Sequence, residues 1–327
     1  MTMEWPRREL LCFGTASICS AIFPALGEAG AYPSRPVRVI VPFAAGGVDV
    51  PMRLIAQSLS EQIGEQFFVE NVGGGGSSIG TGQVARAAPN GYTILFTASA
   101  FVLFPALHEK LSYDPLKDFA PVTAAATSPM VLLVNPSVQA QSVADLVALI
   151  KGSSGNYSYA SAGIGTPPHL TGELFRQSLG LDLVHVPYHS GSEAITAVIG
   201  GHAQLCFAAI GPAVAQIGAG KLRALAVAAR DRLTLLPGVP TMVEAGYPEV
   251  KGEVWCGVLV PASTSKQIIS FLHDEIVRAL DRSDLQSRLG NIGYLPVGNT
   301  PDAFGHQIAA ELDRWRKVIR NAHIDAG

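Results

Sequence analysis

The chain has 327 residues, of which 48% are hydrophobic and only 15% are charged, with a formal net charge of −3. This composition predicts a well-packed globular protein with room for two domains and argues against extended disorder. The mild negative charge and the lack of a basic stripe in the sequence argue against nucleic acid as a partner.

The first 31 residues differ from the rest of the chain. Arg7 and Arg8 precede an apolar segment, Leu10–Leu26, and the small residues Ala29-Gly30-Ala31 follow it. A charged start, an apolar middle and a small-x-small end are typical of a cleaved export signal. We therefore predict that residues 1–31 are a signal peptide and that the mature protein is periplasmic, by the general or the twin-arginine route.

From Pro36 onward, short apolar runs alternate with segments of helical periodicity. The predicted strands are Val37–Val41, Phe67–Glu70, Thr93–Ala98, Val131–Val134, Ser158–Ala160, Leu183–Val186, Leu205–Ala208, Arg223–Ala228 and Trp255–Val260. The predicted helices are Met52–Ile63, Ile79–Ala87, Val143–Ile150, His169–Leu179, Ala194–Ile199, Ala213–Ala219, Ser265–Leu280, Ser283–Leu289 and Pro301–Asn321. This alternation predicts an α/β fold with parallel sheets and helices on both faces.

Three loops that follow predicted strands are rich in Gly, Ser or Thr, and each opens a helix: residues 43–49 (FAAGGVD), 71–78 (NVGGGGSS) and 161–168 (SAGIGTPP). Glycine lets the backbone approach a ligand closely, and helix N-termini offer unpaired N–H donors. Loops after strand ends form the ligand crevice of such folds. Because these loops contain no Lys or Arg, we expect them to bind one or two carboxylates rather than a polyphosphate.

Several of the polar residues have a structural alternative. Asp49 and Thr166 suit helix N-caps, and His169 suits a buried structural histidine. Tyr188 either lies at the cleft or covers a strand end.

Sequence patterns for catalysis and cofactors are weak. Residues 76–80 (GSSIG) match the G-x-S-x-G nucleophile elbow, but four glycines separate Ser78 from the strand. We expect no enzyme, with an exported serine hydrolase using Ser78 as the alternative. Metal spacing, a dinucleotide fingerprint and a Walker lysine are missing from the sequence, so we expect no metal and no cofactor. Cys206 and Cys256, which follow the predicted signal, lie in apolar runs that favour buried free thiols, with a disulfide between them as the alternative.

Six segments, in order, carry a resemblance to a known family. They are YPSRPVRVIVPFAAGG, the EN--GGG--IG pattern around residues 71–80, YASAGIGTPPHLTGELF, HVPYHSGSEAITAVIGG, AGKLRALAVAA and LPGVPTMVEAGYPEV. The chain resembles the Bug proteins, also called the TctC family, which are extracytoplasmic solute-binding proteins of tripartite tricarboxylate transporters. The resemblance covers nearly all of the expected mature chain.

The resemblance implies two Rossmann-like lobes around a central cleft, the architecture of type II periplasmic binding proteins. The expected crossings lie near Met130–Asn135 and Gly252–Gly257. They divide the chain into lobe 1, residues 32–131 and 256–327, and lobe 2, residues 132–255. The implied partners are a small-molecule carboxylate and membrane components of such a transporter, or a sensor kinase to which the protein presents its ligand. We expect a monomer.

The candidate ligand-binding residues come from the loops after the strands. They are Phe43, Ala44, Gly46, Gly47, Asp49, Ser77, Ser78, Ser99, Ser161, Gly163, Thr166, Tyr188 and Ala208. This chain departs from the family pattern at two places. Only Val48 separates the glycine pair from Asp49, where the family usually has two residues. Ala208 and Ala209 replace a polar pair that often carries an aspartate, which favours a mono- or dicarboxylate without an amino group.

Overall fold

A computed structural model describes residues 1, 32–45, 48–108, 111–153, 156–229, 231–322 and 324. The predicted signal peptide, apart from Met1, and the candidate residues Gly46 and Gly47 lie outside the described residues.

The secondary structure closely follows the predicted alternation. The strands are β1 (Val37–Val41), β2 (Phe67–Asn71), β3 (Thr93–Ala98), β4 (Phe119–Val134), β5 (Ser158–Ser161), β6 (Val184–Pro187), β7 (Leu205–Ala209), β8 (Arg223–Val227), β9 (Glu253–Pro261) and β10 (Leu295–Pro296). The α-helices are α1 (Asp49–Ile63), α2 (Ser78–Ala85), α3 (Ala100–Leu107), α4 (Val143–Gly152), α5 (Pro167–Leu179), α6 (Gly191–Ile199), α7 (Ile210–Gly218), α8 (Lys266–Leu280), α9 (Ser283–Asn291) and α10 (Pro301–Asn321).

The strands form a mixed sheet in the order β2-β1-β3-β9-β4-β7-β5-β6, with β8 and β10 also paired to β4. β1 is parallel to β2 and β3, and β5 is parallel to β6 and β7. The prediction of purely parallel sheets is wrong at β4 and β9, which pair antiparallel with their neighbours. β9 is antiparallel to β3, and β4 is antiparallel to β7. The alternation of strands and helices along the sequence does not reveal these strand directions. The α/β fold itself is as predicted.

The long strand β4 belongs to both halves of the sheet. Residues 119–129 pair with β9, whereas residues 130–134 pair with β7 and β8. At the change of partner, the N–H of Met130 donates to the carbonyl of Gly252 at 3.0 Å. Both expected crossings lie near this point, while the lobe boundaries drawn from them stay a prediction.

Both faces of the β4 end are buried, as expected for a strand with helices on either side. Met130, Leu132 and Val134 pack in one apolar cluster with residues of α4 and α5. Val131 and Leu133 face the opposite cluster, with residues of α6 and α7. The alternating burial of successive residues fixes the register of the second half of the sheet.

Helix α3 follows β3 directly and is missing from the predicted elements. Its sequence, AFVLFPAL, is apolar on all sides and contains Pro105, so it shows no amphipathic period. Phe101 anchors one face of the helix, with its ring 5.3 Å from that of Phe119 and 6.1 Å from that of Tyr113. The opposite face, which carries Leu103, Phe104 and Leu107, is left to line a cavity.

Candidate functional site

A cavity of about 730 Å³ lies where three loops meet helix α3. Its volume falls within the range of small-molecule sites. The loops follow β1, β2 and β5, so the cavity sits at strand ends, as binding sites of α/β sheets do. The lining residues are Pro42, Phe43, Ala44, Gly73, Gly74, Gly76, Ser77, Ala100, Leu103, Phe104, Leu107, His108, Ile164, Gly165, Thr166 and Pro167.

The loop after β2, which we call the glycine loop (residues 73–77), has an unusual backbone. Four consecutive residues have positive φ: Gly74 at 116°, Gly75 at 55°, Gly76 at 59° and Ser77 at 81°. Ser77 is the one non-glycine residue with positive φ among those that the structure describes. A side chain in this region is strained, and such strain concentrates at functional sites.

This backbone leaves hydrogen-bond donors unused. Gly75–Ser77 form a single 3-10 turn, and α2 begins at Ser78. The N–H groups of Gly75 and Gly76, the first two residues of this turn, have no acceptor within the described part of the chain. Successive N–H groups in a left-handed turn at a helix start form an anion-binding concavity. The glycine loop therefore offers hydrogen-bond donors suited to an anion without a basic side chain.

The glycine at position 76 is required by a close contact. A Cβ atom on Gly76 would lie 1.9 Å from an edge carbon of the Phe104 ring. The Phe104 ring also contacts the ring of His108, with centroids 4.2 Å apart. Helix α3 thus packs directly against the glycine loop and fixes one aromatic face of the cavity.

A group of hydroxyls lies buried behind the glycine loop. The hydroxyls of Ser77, Thr81 and Tyr113 are inaccessible to solvent and have no hydrogen bond of standard geometry in the described structure. Burial raises the pKa of Tyr113 to about 12, and the nearby hydroxyls of Thr81 and Ser77 offset part of that rise. Buried hydroxyls that interact only through hydrogen bonds of poor geometry are costly, and Ser77 is one of them.

The loop after β1 is held by a chain of polar contacts. The Asn71 side-chain N–H donates to the carbonyl of Phe43 at 3.0 Å, and Arg53 donates to the Asn71 side-chain oxygen at 2.5 Å. Arg53 also pairs with the buried carboxylate of Asp49, with Nε and Oδ2 2.9 Å apart. Asp49 is the first residue of α1, whose N-cap position is occupied by Val48. It therefore orients the loop through Arg53 and Asn71.

The loop after β5 uses its own donors internally. The Gly163 N–H donates to Ser161 Oγ at 3.1 Å, and the Thr166 N–H donates to the Gly163 carbonyl at 3.3 Å. Pro167 and Pro168 open α5 and have no N–H. The Thr166 hydroxyl donates to the Gly163 carbonyl at 2.7 Å and caps no helical N–H. This loop consequently offers few donors to an anion.

A buried histidine supports the same loop. His169 Nδ1 accepts the N–H of Gly165 at 2.9 Å, so Nδ1 carries no proton. Burial and, to a smaller extent, the neighbouring His185 together lower the pKa of His169 to about 4. The two imidazole rings stack with centroids 3.9 Å apart, and His185 Nε2 lies 2.7 Å from Ser161 Oγ. His169 is the structural histidine that its sequence context indicates.

A carboxylate lies behind the stacked histidines. Glu173 accepts a hydrogen bond from the Tyr159 hydroxyl at 2.7 Å and pairs with Arg176 at 2.7 Å. Burial raises the pKa of Glu173, but these two partners outweigh it and the pKa is lowered. The cluster is internally neutralised and does not line the cavity.

The family of this chain follows from its match to a family model. The tripartite tricarboxylate transporter family receptor matches residues 52–324, most of the chain. This chain belongs to that family.

Solved structures agree with this assignment. The family member described here is 31% identical to Rpa4515 of R. palustris with adipate, over 90% of this chain and 99% of that one, with a TM-score of 0.75. It is 32% identical to the periplasmic binding protein BugD over 90% and 99%, with a TM-score of 0.72. It is 31% identical to MatC of Rhodopseudomonas palustris with bound malate over 88% and 100%, with a TM-score of 0.71.

The cavity of this family member collects only part of the candidate set. Phe43, Ala44, Ser77 and Thr166 line it. Ser78 opens α2 next to the lining, and no histidine of the described chain hydrogen-bonds to its hydroxyl.

The remaining candidates lie elsewhere in the structure. Ser161 and Gly163 shape the loop after β5 from behind. The Ser99 hydroxyl accepts the N–H of Trp255 at 3.0 Å and so joins β3 to β9. Tyr188 lines a separate surface depression beside α6, and Ala208 is buried under the same helix.

The candidate set lacks most of the lining, including the α3 wall, the glycines of the glycine loop and Ile164 and Gly165 of the loop after β5. Leu103, Phe104 and Leu107 line the cavity because α3 follows β3 immediately. The sequence signal for α3 is an apolar run, AFVLFPAL, that directly follows a predicted strand. Ile164 and Gly165 line the opposite side.

Within the described residues, no three His, Cys, Asp or Glu side chains are placed to hold a metal ion. Over the same part of the chain, no helix has the length and hydropathy needed to cross a membrane.

Proposed function

We propose that this protein is an exported periplasmic binding protein that captures a small organic carboxylate for a tripartite tricarboxylate-type transporter. The observation that carries the proposal is the pair of unpaired N–H groups at Gly75 and Gly76, in the loop that lines one side of the cavity. These donors suit a carboxylate, because a compact anion satisfies both of them at once. Two similar proteins are described with adipate and with malate, which are both carboxylates.

The ligand carries no amino group. An ammonium group needs a carboxylate or several oxygen acceptors when it is buried. Asp and Glu are missing from the described lining of the cavity. Ala208 is buried under α6, at the position where the resemblance places an aspartate in many relatives.

Lobe closure supplies the binding mechanism. The ligand contacts the glycine loop on one side and the loop after β5 on the other, so it favours the closed arrangement of the two lobes. The division into residues 32–131 with 256–327 and residues 132–255 gives the two bodies that move. The chemistry of the site requires no reaction step.

The test is thermal unfolding of the protein starting at Tyr32, stripped of bound ligand by partial unfolding and refolding. A panel of mono-, di- and tricarboxylates and amino acids is compared at equal concentration. A true ligand stabilises the fold by about 2.7 kcal/mol at a hundredfold excess over Kd. A panel without any carboxylate response refutes the proposal.

A matched pair of glycine substitutions links the response to the glycine loop. Gly76→Ala places a Cβ against Phe104 at φ 59° and should abolish the ligand-induced shift. Gly180→Ala imposes the same backbone strain at φ 60°, in open space at the end of α5, and should retain it. An equal loss of response in both variants would show that strain alone, and not the loop, is responsible.

A further inference from the structure

The two sides of the cavity differ in chemistry. The glycine loop offers N–H donors, whereas the α3 wall (Leu103, Phe104 and Leu107) is apolar. Ile164 extends the apolar surface from the loop after β5, and its side chain is more than half exposed. An exposed isoleucine beside an apolar wall is a surface that a ligand can cover with gain of hydrophobic free energy.

The side opposite the glycine loop provides no second anion site of similar quality. The Gly163 N–H donates to the Ser161 hydroxyl, and the Gly165 N–H donates to His169. The Thr166 N–H donates to the Gly163 carbonyl. The next two residues are prolines without an N–H. Lys and Arg do not occur among the described lining residues, where the one ionisable side chain is that of His108, packed against Phe104. Along the leucines of the α3 wall, a second ligand carboxylate would lose its hydration without compensation.

From this asymmetry we infer that the preferred ligand is a monocarboxylate with an apolar body of about six carbons or more, aromatic or aliphatic. The inference rests on the proposed function and narrows its ligand class. The carboxylate occupies the glycine loop, and the body lies along α3. The cavity of about 730 Å³ leaves most of its volume empty around a four-carbon acid, so a larger body makes more contacts.

Phe104 is the main specificity residue of this arrangement. Its ring is held between Gly76 and His108, so its face is already ordered before a ligand arrives. An ordered aromatic ring favours stacking with an aromatic body and contact with an aliphatic one. Leu107 completes the wall, and its Cδ1 lies 2.5 Å from where a Cβ on Gly165 would be. The wall therefore also touches the loop that closes over the ligand.

The first experiment measures Kd by titration calorimetry for benzoate, cyclohexanecarboxylate and hexanoate against malate, succinate and adipate. We expect at least tenfold tighter binding of the three apolar monocarboxylates, and hexanoate ahead of adipate. Equal or tighter binding of malate or adipate overturns the inference but leaves the proposed function standing. Failure of every acid to bind defeats the proposed function as well.

The second experiment assigns the preference to the α3 wall. Leu107→Ala should weaken benzoate and hexanoate about tenfold and change malate little, because only the apolar contact is lost. Val102→Ala is the matched control, since Val102 is buried on α3 and does not line the cavity. Equal changes for all acids in Leu107→Ala, or the same selectivity change in Val102→Ala, contradict a role of the wall in specificity.

Discussion

Ser77 provides the sharpest test of strain in the glycine loop. It has φ 81°, and its hydroxyl is buried without a hydrogen bond of standard geometry. Replacement by glycine removes the Cβ that disfavours this conformation and the hydroxyl that lacks a partner. Both changes act on the folded state, so Ser77→Gly should make the ligand-free protein more stable.

The magnitude follows from three contributions. A side chain in the left-handed region costs roughly 1–2 kcal/mol. An unpaired buried hydroxyl costs about 1 kcal/mol at the lower end of its range, which is appropriate because two other hydroxyls lie nearby. Glycine loses about 0.5–1 kcal/mol through the greater freedom of the unfolded chain. The expected net gain in the free energy of unfolding at position 77 is about 1–2 kcal/mol.

Urea unfolding of the stripped protein measures this gain as a higher midpoint at unchanged slope. Ser78→Gly is the matched control, because the neighbouring serine has helical φ of −67°. Glycine there should cost roughly 0.5 kcal/mol by loss of helix propensity. If Ser77→Gly is neutral or destabilising, the strain argument is wrong, and the Ser77 hydroxyl makes a stabilising contact instead.

Three other predictions follow from buried groups. His169 has a pKa of about 4 in the folded state and about 6.5 in the unfolded state. Its contribution to the free energy of unfolding should therefore be full above pH 6.5 and fall by up to about 3 kcal/mol as the pH drops to 4. In urea titrations, His169→Gln should make the free energy of unfolding depend less on pH. Cys206 and Cys256 are buried free thiols with pKa raised to about 12, and both should react with a thiol reagent only after unfolding. Ser99→Ala leaves the Trp255 N–H unpaired and should cost about 1–3 kcal/mol without changing carboxylate affinity.

The parts of the site that sequence could predict are those governed by local chemistry. Runs of glycine after β1, β2 and β5 mark tight loops, and the structure brings one or more residues of each to a single cavity. Phe43 and Ser77 reach the cavity for that reason. The ends of strands could also be predicted from the sequence, since β1 and β3 have the predicted bounds.

The parts that sequence could not predict depend on distant contacts. The N–H of Gly165 is consumed by His169, which lies four residues away, but His169 is neutral because it is buried against His185. Asp49 pairs with Arg53, whose other partner, Asn71, belongs to β2. From composition alone, the glycine-rich loops are equally good candidates for anion sites. Only the tertiary contacts show which of their N–H groups are already hydrogen-bonded.

This difference explains how a site without Lys or Arg can be selective. A basic side chain would attract any anion over several ångströms, and its flexibility would tolerate many positions of the charge. The N–H groups of Gly75 and Gly76 act only at hydrogen-bond distance and point in fixed directions. In the proposed binding mode they hold one carboxylate in one place, and the shape of the α3 wall selects the body attached to it. Strain at Ser77 is the structural cost of keeping those donors in place.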